Sequence, residues 1–290
     1  MKTQEFKYDP KAEDEKAAAK KYRLPFALCK AHGIQIQDWW TPKDAWKALE
    51  NGGIIVDVSD EYKAFYLKIK RKNTQSAAER KRNHEQIKKE QALFADHVPD
   101  KDYIHRKGYI SGAEKKVPMN FEQANGGKVN PFFDSKYVGY HHNCQTCVAT
   151  YYARRLGYDV RALPNLNNKA IYDLSRDISL AYRDQYGEHP KKKYITGRFR
   201  KTINQTIQEG EIYAIEWRWN KSACGHVVSV ERKNGNIYFY DPQDGQLYTW
   251  RNSEKLFQGK ATDFCLMKLT GCTMDEKFAD QIMKKAGKEK

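Results

Sequence analysis

The sequence predicts an α+β fold in which one cysteine-bearing helix packs on an antiparallel sheet. Three observations predict it. "NCQTCVATYYARRLG" (143–157) places two cysteines three apart at the opening of a helix. "IYAIEWRW" (212–219), "GHVVSVER" (225–232) and "NIYFYD" (236–241) are β-branched and aromatic runs, and Asn234-Gly235 joins the last two as a tight hairpin. A basic, mainly helical stretch of about 100 residues precedes both.

Taken in order, residues 1–22 are charged and rich in Ala and Lys, a pattern that predicts a solvated helix. Thr41-Pro42-Lys43-Asp44 predicts a helix start with proline just inside it, and Gly52-Gly53 its stop. A short apolar strand is expected over Ile54–Val58. Residues 61–90 carry ten Lys/Arg against four Glu. Such a run can follow phosphates, but its spacing matches no nucleic-acid motif and few aromatics interleave it. A solvated helix with a linker is the favoured reading over nucleic-acid binding. Glycines and prolines between 98 and 135 mark a loop-rich boundary. The organisation predicted is an accessory region over 1–100, a domain over 115–272 that carries the cysteine helix and the strands, and a short, fraying helical tail over 273–290.

The totals narrow the class. The chain has 52 Lys+Arg against 37 Asp+Glu, a net +15 that favours an anionic partner without choosing one. Six scattered cysteines (29, 144, 147, 224, 265, 272) are too few for a secreted disulfide scaffold. No apolar run is long enough to span a membrane, and the first residues show no signal-peptide core. The expectation is cytoplasmic synthesis, with delivery to a target cell or packing into a particle left open.

In the cysteine helix, Asn143 is the expected N-cap and Gly157 the left-handed residue after the last turn. Cys144 then occupies the first helical position, where unpaired N–H groups and the helix dipole favour thiolate. Cys147, one turn in, behaves as a small hydrophobe. Zinc would need a second ligand pair. Neither Cys265 with Cys272 nor the His141-His142 doublet has a finger or ribbon spacing, so no metal and no cofactor are expected.

A two-residue turn at Asn234-Gly235 pairs Lys233 with Asn236, so His226, Val228, Val230, Ile237, Phe239, Asp241 and Gln243 share one face. The face is apolar near the turn and polar at its open end. His226 and Asp241 are diagonal neighbours there, a carboxylate that can hold one imidazole nitrogen and free the other for a thiol proton. The cysteine helix is expected to cover this face.

At these residues the chain resembles the papain-like fold. More narrowly, "NCQTCVATYYARRLGYDVRALPN" and "GHVVSVERKNGNIYFYDPQDG" are similar to the papain-fold toxin domains that are predicted protein-glutamine deamidases of polymorphic toxins and phage-associated proteins. "VPMNFEQANGGKVNPFF" (117–133) resembles the lead-in of phage-linked members. The resemblance implies a cysteine-dependent acyl-transfer hydrolase acting on a protein, with Cys144 or Cys147 as nucleophile, His226 as general base, Asp241 as its orienter, and Gln243 and Asn143 as supporting groups. Plant-type papain enzymes react through the second cysteine of C-x-x-C, which points to Cys147. The peptidase domains of bacteriocin exporters carry their nucleophile thirteen residues before a glycine, as Cys144 precedes Gly157, and helix position also favours Cys144. Both groups place a Gln six residues ahead as oxyanion donor. Here that position is Val138, or His141 if Cys147 reacts.

The expected activity is glutamine deamidation by a toxin, effector or phage-associated protein, with an immunity protein or phage particle as further partner. A cysteine peptidase is the first alternative. A non-catalytic basic phage structural or nucleic-acid-binding protein is the second.

Overall fold

A computed structural model describes residues 25–37, 40–53, 76–93, 103–125, 127–133, 137–166, 168–219, 225–257 and 261–287. The helix expected over 1–22, the strand over 54–58, residues 61–75 of the basic run, and Cys224 lie outside the described residues. The chain divides into two units, 1–86 and 87–290.

In the first unit, helix α1 (Pro42–Asn51) begins and ends where its sequence signals stand. The Asp44 carboxylate accepts from the Thr41 backbone N–H at 2.8 Å, and Gly53 follows the last turn with φ +68°. Cys29, Ala45 and Leu49 are fully buried between α1 and the helical residues 25–31. Arg80, near the start of α2 (Ala77–Leu93), pairs with Asp44 at 2.6 Å. Helix α2 has no apolar stripe; its one buried side chain is Glu90.

Residues 87–93 of α2 belong to the second unit, and Glu90 anchors them there. The carboxylate, 1 % exposed, accepts from the backbone N–H groups of Val138 (2.6 Å) and Gly139 (2.8 Å). Charge-assisted bonds of this kind satisfy a carboxylate that burial would otherwise penalise. They pin the 3₁₀ turn Val138–His141 that leads into the cysteine helix.

The second unit opens with the hairpin β1 (Tyr109–Ile110) and β2 (Ala113–Glu114), then α3 (Phe121–Asn125), α4 (Cys144–Arg155), β3 (Val160–Ala162), α5 (Lys169–Arg176) and β4 (Tyr182–Arg183). Its largest element is a six-stranded antiparallel sheet. The strands are β5 (Lys192–Tyr194), β6 (Ile212–Trp219), β7 (Gly225–Lys233), β8 (Asn236–Asp241), β9 (Gln246–Thr249) and β10 (Ala261–Lys268), in the order β5-β10-β6-β7-β8-β9. Helices α6 (Phe199–Thr206) and α7 (Ser253–Phe257) interrupt this series. The hairpin register is the one the turn dictates: Lys233 pairs with Asn236, and Ser229 with Tyr240. Asn234 and Gly235 have φ of +51° and +74°, as a two-residue turn of matching twist requires.

Val228, Val230, Ile237 and Phe239 are buried together, as expected, but a different part of the chain covers them. Ile203 of α6, Ile207 and Leu256 of α7 close that face. Helix α4 lies on the opposite face, where Val148, Ala149 and Tyr152 meet Ala214 and Val227. Both faces of β6 and β7 are apolar, so alternation alone does not say which one a given helix takes. Ala214 and Val227 also leave room for close helix approach. After α4, Gly157 turns the chain at φ +105°, and a Cβ there would sit 2.2 Å from the Lys116 carbonyl oxygen.

The C-terminal segment departs from the fraying helix its amphipathic pattern suggests. β11 (Thr273–Met274) pairs with β4, α8 (Glu276–Ala279) is a single turn capped by Asp275, and β12 (Met283–Lys285) pairs with β3. Ile282 and Met283 are buried. Pairing to β3 outweighs the local helical preference, which carries only tenths of a kcal/mol per residue. Among the described residues, no helix is long and apolar enough to cross a membrane.

Candidate functional site

The predicted site residues meet where the start of β7, the end of β8 and the N-terminus of α4 come together. Cys144 is the first residue of α4 and is 7 % exposed. His226 is the second residue of β7, and Asp241 the last of β8. The His226 Nε2 is hydrogen-bonded to the Asp241 carboxylate, whose other oxygen accepts from the Gln243 backbone N–H at 3.0 Å. Cys144 lies near enough to the same imidazole to act on its basicity.

The electrostatics follow from these contacts. Burial alone would lower the basicity of His226. The bond to Asp241 and then the contact with Cys144 outweigh it and raise the imidazole from about 6.5 to about 10. Trp217, 2 % exposed, stands edge-on to the imidazole with ring centroids 5.2 Å apart, and so shields one side of the pair from water. Asp244 sits in the same field; burial and the charge of Asp241 raise its carboxyl above the usual range.

Cys147 is in a different place. It is fully buried among Ala124, Val129, Tyr151 and Tyr240. Burial, with the neighbouring Cys144 second, pushes its thiol well above the ordinary value.

Asn143 departs from its expected part. It occupies the position before the helix, yet its side chain makes no capping bond. Its Nδ2 donates to Asn130 Oδ1 (3.2 Å) and the Leu163 carbonyl (3.1 Å), and its Oδ1 accepts from Gln243 Nε2 (3.2 Å). Asn130 in turn donates to the carbonyls of Tyr140 (3.2 Å) and Gln243 (2.8 Å). The three carboxamides tie the lead-in turn, the helix start and the loop after β8 into one buried network, and a buried amide bonded on both sides holds its neighbours in register. Capping propensity is a local rule; here tertiary partners satisfy the side chain better than its own helix does.

Asn130, Glu90 and Gln145 also belong to the site, and the sequence reading did not single them out. Asn130 follows a glycine pair inside an apparent loop, and Glu90 sits in a run of charge where every carboxylate looks solvated. Among the described residues, no cluster of three or more His, Cys, Asp or Glu side chains is arranged to hold a metal ion.

This geometry, a thiol at a helix start beside an imidazole held by a carboxylate, can carry acyl transfer. Residues 142–246 match the family described as papain fold toxin 1, glutamine deamidase. No curated protein matches the chain. The papain-fold match begins at His142, immediately before the network residue Asn143, and ends at Gln246, in the first position of β9. It spans both cysteines of α4 and the whole β7–β8 hairpin. Glu90 and Asn130, which hold the turn Val138–His141 just ahead of the matched segment, lie outside it as that turn does.

Proposed function

We propose that this protein is a cysteine-dependent protein-glutamine deamidase whose nucleophile is Cys144, with His226 as general acid and base and Asp241 as the group that orients it. The observation that carries the reading is that one imidazole is bonded to the Asp241 carboxylate and lies in the field of the thiol at the start of α4, inside the segment matched to a glutamine deamidase family. The wholly apolar and tyrosine surroundings of Cys147, which push its thiol well above the ordinary value, support Cys144 as the reacting thiol of the two.

The Cys144 sulfur attacks the side-chain carboxamide carbon of a protein glutamine, forming a C–S bond and an oxyanion. His226, protonated, gives its proton to the departing nitrogen, and ammonia leaves behind a thioester. Water then enters, loses a proton to His226 and attacks the same carbon. The C–S bond breaks, glutamate is released, and the proton returns to the Cys144–His226 pair. Asp241 keeps the ring in the tautomer and orientation both steps need. Asn143 and Gln243 support the helix start through their shared network.

On this reading, residues 115–272 form the catalytic domain and 1–100 an accessory region. The substrate is a protein, and the family description supports a toxin or effector role. Delivery to a target cell, carriage by a phage and neutralisation by an immunity protein belong to the same proposal.

Mass spectrometry of candidate target proteins tests it. Incubation should add about 1 Da per modified glutamine, and Cys144→Ala should abolish the gain. New N-termini in place of mass-shifted glutamines would make the enzyme a peptidase, and loss only with Cys147→Ala would move the nucleophile one turn along the helix.

A further inference from the structure

Attack on a carboxamide puts negative charge on its oxygen, and such sites stabilise it with aimed hydrogen-bond donors. The usual side-chain position of peptidases with this fold is Val138 here, which has no side-chain donor, and its backbone N–H is spent on Glu90. The carboxamides of Asn130, Asn143 and Gln243 also use their donors within the supporting network.

Gln145 is the exception. It follows Cys144 in the first turn of α4, is half-buried, and its Oε1 accepts from the Cys144 sulfur at 3.1 Å. Its Nε2 has no protein hydrogen-bond partner among the described residues. The amide therefore stands against the reacting atom with both donor hydrogens uncommitted.

We propose that Gln145 is a catalytic residue, the side-chain donor to the oxyanion; this rests on Cys144 being the nucleophile. In the structure the amide offers its oxygen to the sulfur. As a thiolate beside the protonated imidazole the sulfur only accepts, and a half-turn of the carboxamide presents Nε2–H instead. The oxyanion forms on the carbon just bonded to that sulfur, within the same sweep of the amide. The backbone N–H of Cys144, at the positive end of α4, is the second donor.

Two reagents separate this role from one in holding the thiol. p-Nitrophenyl acetate acylates a thiol through an oxyanion, releasing nitrophenolate as the C–S bond forms. Iodoacetamide alkylates by direct displacement of iodide and forms none. In Gln145→Leu and Gln145→Glu, acylation of Cys144 should fall about 10²-fold, while alkylation changes by less than about threefold. The Glu variant keeps the size of the side chain and lacks the donor, so parallel behaviour of the two variants separates lost donation from disturbed packing. Unchanged acylation, or acylation and alkylation falling together, overturns the proposal. If Cys144→Ala leaves wild-type acylation intact, the nucleophile assignment itself has failed, an outcome distinct from both.

Discussion

Two successive turns of α4 carry the same functional group and treat it oppositely. In the first turn the Cys144 thiol donates to Gln145 and lies in the field of His226. In the second, Cys147 is enclosed by alanine, valine and two tyrosines, and burial holds its proton on. Both sulfurs are nearly or wholly buried, so exposure does not separate them. What separates them is polar company. A thiol becomes a nucleophile where a base can take its proton and charge can be stabilised, and only the helix start offers both.

The largest expected effect tests that contrast directly. Alkylation near neutral pH, followed by peptide mapping, should modify Cys144 more than about 10³ times faster than Cys147. Comparable rates would dissolve the distinction. Next, Asp241→Ala should lower turnover by about 10²-fold or more, because the imidazole loses the partner that sets its tautomer. The alkylation preference for Cys144 should shrink with it, and a variant with wild-type turnover would remove Asp241 from the site.

Stability should respond to pH through the same pair. Because His226 is raised to about 10, its protonated form binds the native state preferentially. Its contribution is fully present below the unfolded value of about 6.5 and is lost as pH rises through about 10. Denaturant unfolding of the wild type should therefore weaken between these limits, by on the order of 2 kcal/mol more than in His226→Gln. Equal slopes would show that the imidazole is not held as a cation. The smallest effects belong to the second turn. Cys147→Ala should cost about 1 kcal/mol and leave turnover within about threefold, while Cys147→Ser should cost about 1–3 kcal/mol by burying a hydroxyl among apolar neighbours. Thermal melts with activity assays check both, and an inactive Cys147→Ala that still melts normally would reverse the comparison.

Much of this arrangement is legible in local text. The Asn234-Gly235 turn dictates a two-residue hairpin, and from it the β7–β8 register, the shared face of Val228 to Phe239, and the nearness of His226 to Asp241 all follow. Gly157 follows the end of α4 because the chain there needs a left-handed residue. Other features are not legible. Glu90 sits in a charged run that reads as solvent-facing, and only the distant turn at Val138 and Gly139 gives it a reason to be buried. Asn143 has the composition of a cap, yet its partners lie at Asn130, Leu163 and Gln243, 13, 20 and 100 positions away. The strand at Met283–Lys285 reads as helix until β3 is beside it.

By itself the sequence determined the elements with short-range causes: where α1 and α4 start and stop, which residues form the hairpin, and which side chains alternate to its two faces. Tertiary structure alone decided which face α4 covers, which amides support its first turn, and which thiol keeps company with an imidazole. The physical reason is range. Turn and cap energies act over a few residues, whereas a thiol's reactivity depends on neighbours that only folding assembles.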